Sequence, residues 1–184
     1  MSKLGKRLIR EAILAALTAA FFAASTPSEA ATIIKTAPDT IDVIGKIVPG
    51  DVERLRNAIG DDRRKFTIIL SSPGGDAGEA ETMGDIIRNH GYKTYVAVEC
   101  SSACMSAWAA GTPRKSHPYA WLGLHCARRG NDLEHCNADA SRAQALYLIE
   151  MGVAPNIAWI PTKVGIEGTR IEPADVVTEE IQQQ

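Results

Sequence analysis

Apolar positions fall into short runs separated by polar or glycine-rich breaks, and the spacing within the runs switches between two and about 3.6 residues. Ile41, Val43 and Ile47, with a break at Gly45, predict a strand over 41–48, and Pro49-Gly50-Asp51 then starts a helix over 52–59. The apolar run 66–70 predicts a buried strand, ended by Ser-Ser-Pro-Gly-Gly. Ala80, Met83, Ile86 and Ile87 keep helical spacing up to Gly91, and a strand over 92–98 follows. An alanine-rich helix over 102–110, a strand over 121–125 and an amphipathic helix over 138–151 complete the series. Strand and helix in alternation imply βαβ units with right-handed crossovers and a largely parallel sheet flanked by helices, an α/β fold.

The first thirty residues follow another pattern. Lys3, Lys6, Arg7 and Arg10 precede an apolar run over 12–24, and Ser28-Glu29-Ala30 gives a small-x-small cleavage site. A run of thirteen residues falls short of the roughly 20 that a permanent transmembrane helix needs. Residues 1–30 are therefore expected to be a secretory signal peptide, cleaved after Ala30 or Ala31, with an uncleaved anchor as the competing reading. Residues 31–184 are expected to form a single periplasmic or secreted domain with no stable membrane span. A net charge of −2 supplies no global attraction to nucleic acid, and no nucleic-acid partner is expected.

Export changes the reading of the cysteines. Cys100, Cys104, Cys126 and Cys136 are even in number, which in an oxidising compartment favours disulfides. Of the three pairings, Cys126 with Cys136, closing a polar loop, and Cys100 with Cys104 are preferred. A zinc site is disfavoured because neither spacing is a Cys-x-x-Cys knuckle. No metal and no cofactor are expected.

In folds of this class chemistry sits at the carboxyl ends of strands, where three segments fall. In Ser71-Ser72-Pro73-Gly74-Gly75-Asp76, paired glycines permit backbone angles closed to other residues, so bare amides can converge on one point. The same segment would serve equally as a tight turn. In Cys100-Ser101-Ser102-Ala103-Cys104, a serine at a helix start would sit where free amides favour negative charge, although either serine could simply be a cap. His125 ends an apolar strand, where most histidines are structural. A serine hydroxyl is a weak nucleophile until a base takes its proton, so Ser102 and His125 gain meaning only as a pair.

Taken together, the runs S-S-P-G-G-D-A-G-E-A, C-S-S-A-C-M-S-A-W-A-A-G-T and W-L-G-L-H resemble the Clp protease proteolytic subunit. That family has a Ser-Pro-Gly-Gly turn, a nucleophilic serine followed nine residues later by glycine, and a histidine ending a later strand. Ser102 to Gly111 is nine residues, which selects Ser102 over Ser101. The likeness runs from Val43-Ile44-Gly45-Lys46-Ile47 to Glu172-Pro173-Ala174-Asp175 and covers most of the chain after residue 30. It implies a Clp protease and crotonase type fold of repeated ββα and βαβ units. It further implies an oxyanion hole from the amides of Gly75 and Ala103, attack by Ser102, and His125 as general base. The acidic member implied by the family pattern is Glu167, six residues before Pro173, with Asp175 as second choice.

The function expected is thus an exported serine peptidase cleaving peptides or unfolded chains through an acyl-enzyme on Ser102, in a chain that forms a homo-oligomer. The alternative is a catalytically inactive crotonase-fold module that binds or assembles in the periplasm. Coenzyme A chemistry is disfavoured by export. A serine and lysine dyad would need Lys115, which lies in the polar stretch 112–117. Trp108, Trp121 and Trp159 are read as core and interface packing.

Overall fold

The computed structural model describes residues 30–128 and 134–172. Their element order is β1 (Thr32–Ala37), β2 (Thr40–Ile44), α1 (Asp51–Ile59), β3 (Thr67–Ser72), α2 (Ala77–His90), β4 (Lys93–Ser101) and α3 (Cys104–Ala109). Then follow β5 (Arg114–Ser116), β6 (Trp121–Leu124), α4 (Ala138–Glu150), α5 (Pro155–Ala158), a 3₁₀ turn (Ile160–Thr162) and β7 (Thr169–Ile171). The strands form one sheet in the order β1-β2-β3-β4-β6-β7, with β5 beside the first half of β4.

The sheet is mixed, so the expectation of a largely parallel one holds only in part. β2, β3, β4, β5 and β6 pair in parallel, but β1 turns back antiparallel on β2 and β7 antiparallel on β6. The hydrophobic pattern announced neither antiparallel strand. β1 shows no alternation of buried and exposed positions, and β7 has three residues of which only Ile171 is buried.

Where the pattern is strong, sequence and structure agree. β3 alternates, burying Ile68, Leu70 and Ser72, and β2 buries Ile41 and Val43. The strand expected over 41–48 stops at Ile44, because Gly45 takes φ +105° and turns the chain, and Ile47 returns as an isolated bridge to Gly75. α2 buries Ala80, Met83, Gly84 and Ile87, the i, i+3, i+4, i+7 stripe of an amphipathic helix. Asp76 caps its start by accepting from Glu79 N at 2.9 Å, and Gly91 ends it in the left-handed region.

α3 is buried on every face and lies over β3, β4 and β6, packed between α2 and α4. Its carbonyl end is answered from outside the helix: Arg114 Nη1 donates to Ala109 O and Met151 O, and Arg88 Nη2 to the same two carbonyls. Trp108, fully buried, donates its indole N–H to Lys115 O at 2.9 Å, tying α3 to β5. Trp108→Ala removes that bond and opens a large cavity, so an expected loss of about 3–5 kcal/mol should appear in urea unfolding.

Candidate active site

β4 and β6 are parallel neighbours with Ser101 opposite Gly123, and the Ser102 amide donates to Gly123 O at 2.8 Å. The chain therefore leaves two adjacent strands at the same end of the sheet, once at Ser102 and once at His125. Neither residue sits quite where the pattern predicted. Ser102 does not open the helix: α3 begins at Cys104, Ala103 precedes it, and Ser102 stands in the turn between β4 and α3. His125 lies one residue beyond β6.

Ser102 has φ +55° and is the one non-glycine residue with positive φ among the described residues. For an L-residue this costs about 1–2 kcal/mol, so its surroundings must hold it. The Cys100–Cys104 disulfide spans the turn from β4 into α3. Gln144 Nε2, from the buried face of α4, donates to Ser102 O at 3.0 Å, and Met105 N donates to the same oxygen at 3.0 Å. The two serines are also told apart. Ser101 Oγ donates to Glu99 at 3.0 Å, whereas Ser102 Oγ has no hydrogen bond to a described residue.

The Pro-Gly-Gly turn is pressed against this segment. Ile47 clamps it from below, donating to Gly74 O at 2.8 Å and accepting from Asp76 N at 2.9 Å. Gly74 comes so close that a Cβ on it would meet Ser102 Cβ at 2.8 Å and Ala103 N at 3.0 Å. The amides of Gly75 and Ala103 donate to no other described residue, while those of Gly74, Asp76 and Ser102 are committed.

His125 is half-buried, and its Nδ1 lies 2.6 Å from Cys126 O. No hydrogen bond joins it to Ser102 or to Glu167 among the described residues. Glu167 stands in the turn Gly165–Gly168, where its carboxylate folds over Gly165. That turn packs on the histidine: a Cβ on Gly168 would meet His125 Cβ at 2.8 Å, and Cys126 N donates to Gly165 O at 3.3 Å. His125, Glu167, Ser101, Trp121 and Arg170 line one cleft of about 200 Å³. Asp175 lies outside the described residues, as does the expected signal segment up to residue 29.

Lys115 falls in β5 opposite Tyr95, seven residues before Ser102 along β4. At about 3.3 Å per residue that is roughly 20 Å from the serine. All four cysteines are paired, Cys100 with Cys104 and Cys126 with Cys136, leaving no thiolate for zinc. Among the described residues no cluster of His, Cys, Asp and Glu could hold a metal ion. Thiol alkylation with and without reductant should differ by four labels per chain. Loss of the ten-residue Cys126–Cys136 link should lower stability by roughly 2–3 kcal/mol on the loop-entropy account. Away from the site, burial raises Tyr147 and Glu81, and the Arg64 and Lys35 side chains hold Asp62 low.

Gln144 is the residue that sequence reasoning missed. With Ser141, Ala145 and Leu148 it forms the inward stripe of α4, and two polar side chains in an otherwise apolar stripe were a signal that something at the core needed bonding.

No family model matches the chain, and no curated protein matches it. Among solved structures it is similar to the ClpP protease catalytic domain from Plasmodium falciparum, with a TM-score of 0.58 and 16% identity over 74% of this chain and 78% of that one. The chain therefore has a ClpP-like α/β fold. At that identity the likeness establishes the fold alone.

Proposed function

We propose that the protein is an exported serine hydrolase of Clp type, a peptidase acting on peptides or unfolded chains, with Ser102 as nucleophile and His125 as general base. The observation that carries this reading is the left-handed Ser102, braced on both sides, with its hydroxyl uncommitted and the free amides of Gly75 and Ala103 in the two segments pressed together around it. Strain of this kind persists where the surroundings over-determine it, and nucleophilic serines occupy such strand-to-helix turns.

In the proposed reaction the Ser102 Oγ–H proton passes to His125 Nε2 as the Oγ–C bond to the scissile carbonyl forms. The carbonyl oxygen becomes an oxyanion, received by the amides of Gly75 and Ala103. Glu167, in the turn packed on His125 Cβ and lining the same cleft, steadies the positive charge of the imidazolium. Collapse breaks the C–N bond, the proton on Nε2 leaves with the amine, and water, deprotonated by His125, then hydrolyses the acyl-enzyme. The Ser102–His125 contact closes when substrate is bound, as catalytic hydrogen bonds commonly do. Export accords with the two disulfides, which belong to oxidising compartments. Self-association is proposed with it on the strength of the family resemblance.

A fluorophosphonate probe on the purified mature protein tests the reading, with mass spectrometry expected to place one label on Ser102. The second reading, an inactive binding or assembly module, is favoured by the open Ser102–His125 contact. It takes over if the folded, disulfide-bonded protein resists the probe.

A further inference from the structure

We infer that the Cys126 carbonyl, strapped in place by the Cys126–Cys136 disulfide, is what orients His125 and leaves Nε2 as its basic nitrogen. This rests on the reading of His125 as a general base and adds a positioning group to it.

An imidazole serves as a base toward a serine only through an unprotonated nitrogen, and the partner of the other nitrogen decides which one is unprotonated. A carbonyl oxygen can only accept, so the 2.6 Å contact with Cys126 O requires the proton on Nδ1. Nε2 is then bare. In the familiar triad a carboxylate fills this position, but here no carboxylate among the described residues bonds the ring.

The carbonyl is not held by sequence proximity alone. Cys126 is 2% exposed, its sulfur is bonded to Cys136, and its amide donates to Gly165 O. The next residue is tied at both polar groups: Ala127 N donates to Ser141 Oγ at 2.9 Å and Ala127 O accepts from Asn137 N at 2.7 Å. Asn137 is itself the cap of α4, accepting from Ala140 N. The disulfide and these bonds fasten the segment after His125 to the start of α4, the helix whose Gln144 holds Ser102 O. One helix thereby registers both members of the proposed pair.

The test is the tautomer of His125, read by long-range ¹H–¹⁵N NMR on the oxidised full chain above the histidine pKa, with the signal assigned by its absence in His125→Gln. The expected result is a proton on Nδ1, opposite to the preference of a solvated imidazole, and the same tautomer in Glu167→Gln. A proton on Nε2, an averaged pair of tautomers, or loss of the Nδ1–H form in Glu167→Gln overturns the inference. In folded Cys126→Ser/Cys136→Ser the two tautomers should mix, and an unchanged spectrum there overturns the role of the strap. Kinetics give an independent reading. Losing a carboxylate that sets the tautomer costs about 10⁴-fold in kcat; Glu167→Gln, which removes only a charge that steadies the imidazolium, should lower kcat by about tenfold, and a loss near 10⁴-fold overturns the inference. The spectrum needs no substrate: an Nδ1–H tautomer in a protein that hydrolyses nothing refutes the hydrolase and leaves the orientation standing.

Discussion

Ser102→Ala and His125→Ala are each expected to abolish fluorophosphonate labelling and to lower peptide hydrolysis by on the order of 10⁴-fold or more, to the level of the double variant. Non-additivity is the informative part. Two residues that merely stabilised the domain would act on separate contacts and their effects would sum, whereas members of one proton-transfer unit lose everything at the first substitution. Neither change should unfold the chain. Ser102 Oγ has no hydrogen bond to a described residue, and the imidazole is held by a backbone oxygen that remains when the ring is gone. Ser101→Ala is the control. It deletes the hydroxyl that donates to Glu99 and should retain most activity. Labelling that survives in Ser102→Ala and disappears in Ser101→Ala would move the nucleophile by one residue and discard the backbone argument.

The physics that made parts of this molecule legible differs from element to element. α2 and α4 bury one face each, so periodicity announced them, β3 was announced by its apolar run, and Asp76 and Gly91 marked the ends of α2 by chemistry that acts within four residues. β1, β5 and β7 sit at or near sheet edges, are short or unpatterned, and take their conformation from a neighbouring strand rather than from their own side chains. The site divides in the same way. The Pro-Gly-Gly turn and the serine segment are local motifs, and the cysteine pairs were named from spacing and compartment. That Ser102 is left-handed was not readable, because serine has no preference for that region. The conformation is imposed by contacts from Gly74 and Gln144, residues 28 before it and 42 after it. The Cys126 carbonyl was hidden for a different reason: a backbone oxygen has no letter in a sequence.

Gly75→Ala should cost more than any other single-methyl change at the site. Gly75 has φ +144°, a region essentially closed to L-residues, with a penalty of about 1–3 kcal/mol. The added Cβ would also stand 2.0 Å from Ile47 O and 2.9 Å from Ile47 C, against backbone rather than a side chain that could swing away. Overpacking of this kind adds about 1–3 kcal/mol, so thermal or urea unfolding should report a loss of roughly 3 kcal/mol. Activity should fall further than stability explains. To admit the methyl, the Ile47 segment must move, and with it the two bonds that clamp the turn, Ile47 N to Gly74 O and Asp76 N to Ile47 O. The Gly75 amide then shifts from its proposed place at the oxyanion, and misplacing one such donor costs about 10²–10³ in kcat. The loss should fall on kcat with KM little changed, measured at a temperature where the variant is still folded, because the donor acts on charge that develops only in the transition state. If the folded variant keeps wild-type kcat, the Gly75 amide is not an oxyanion donor and the turn is a structural clamp.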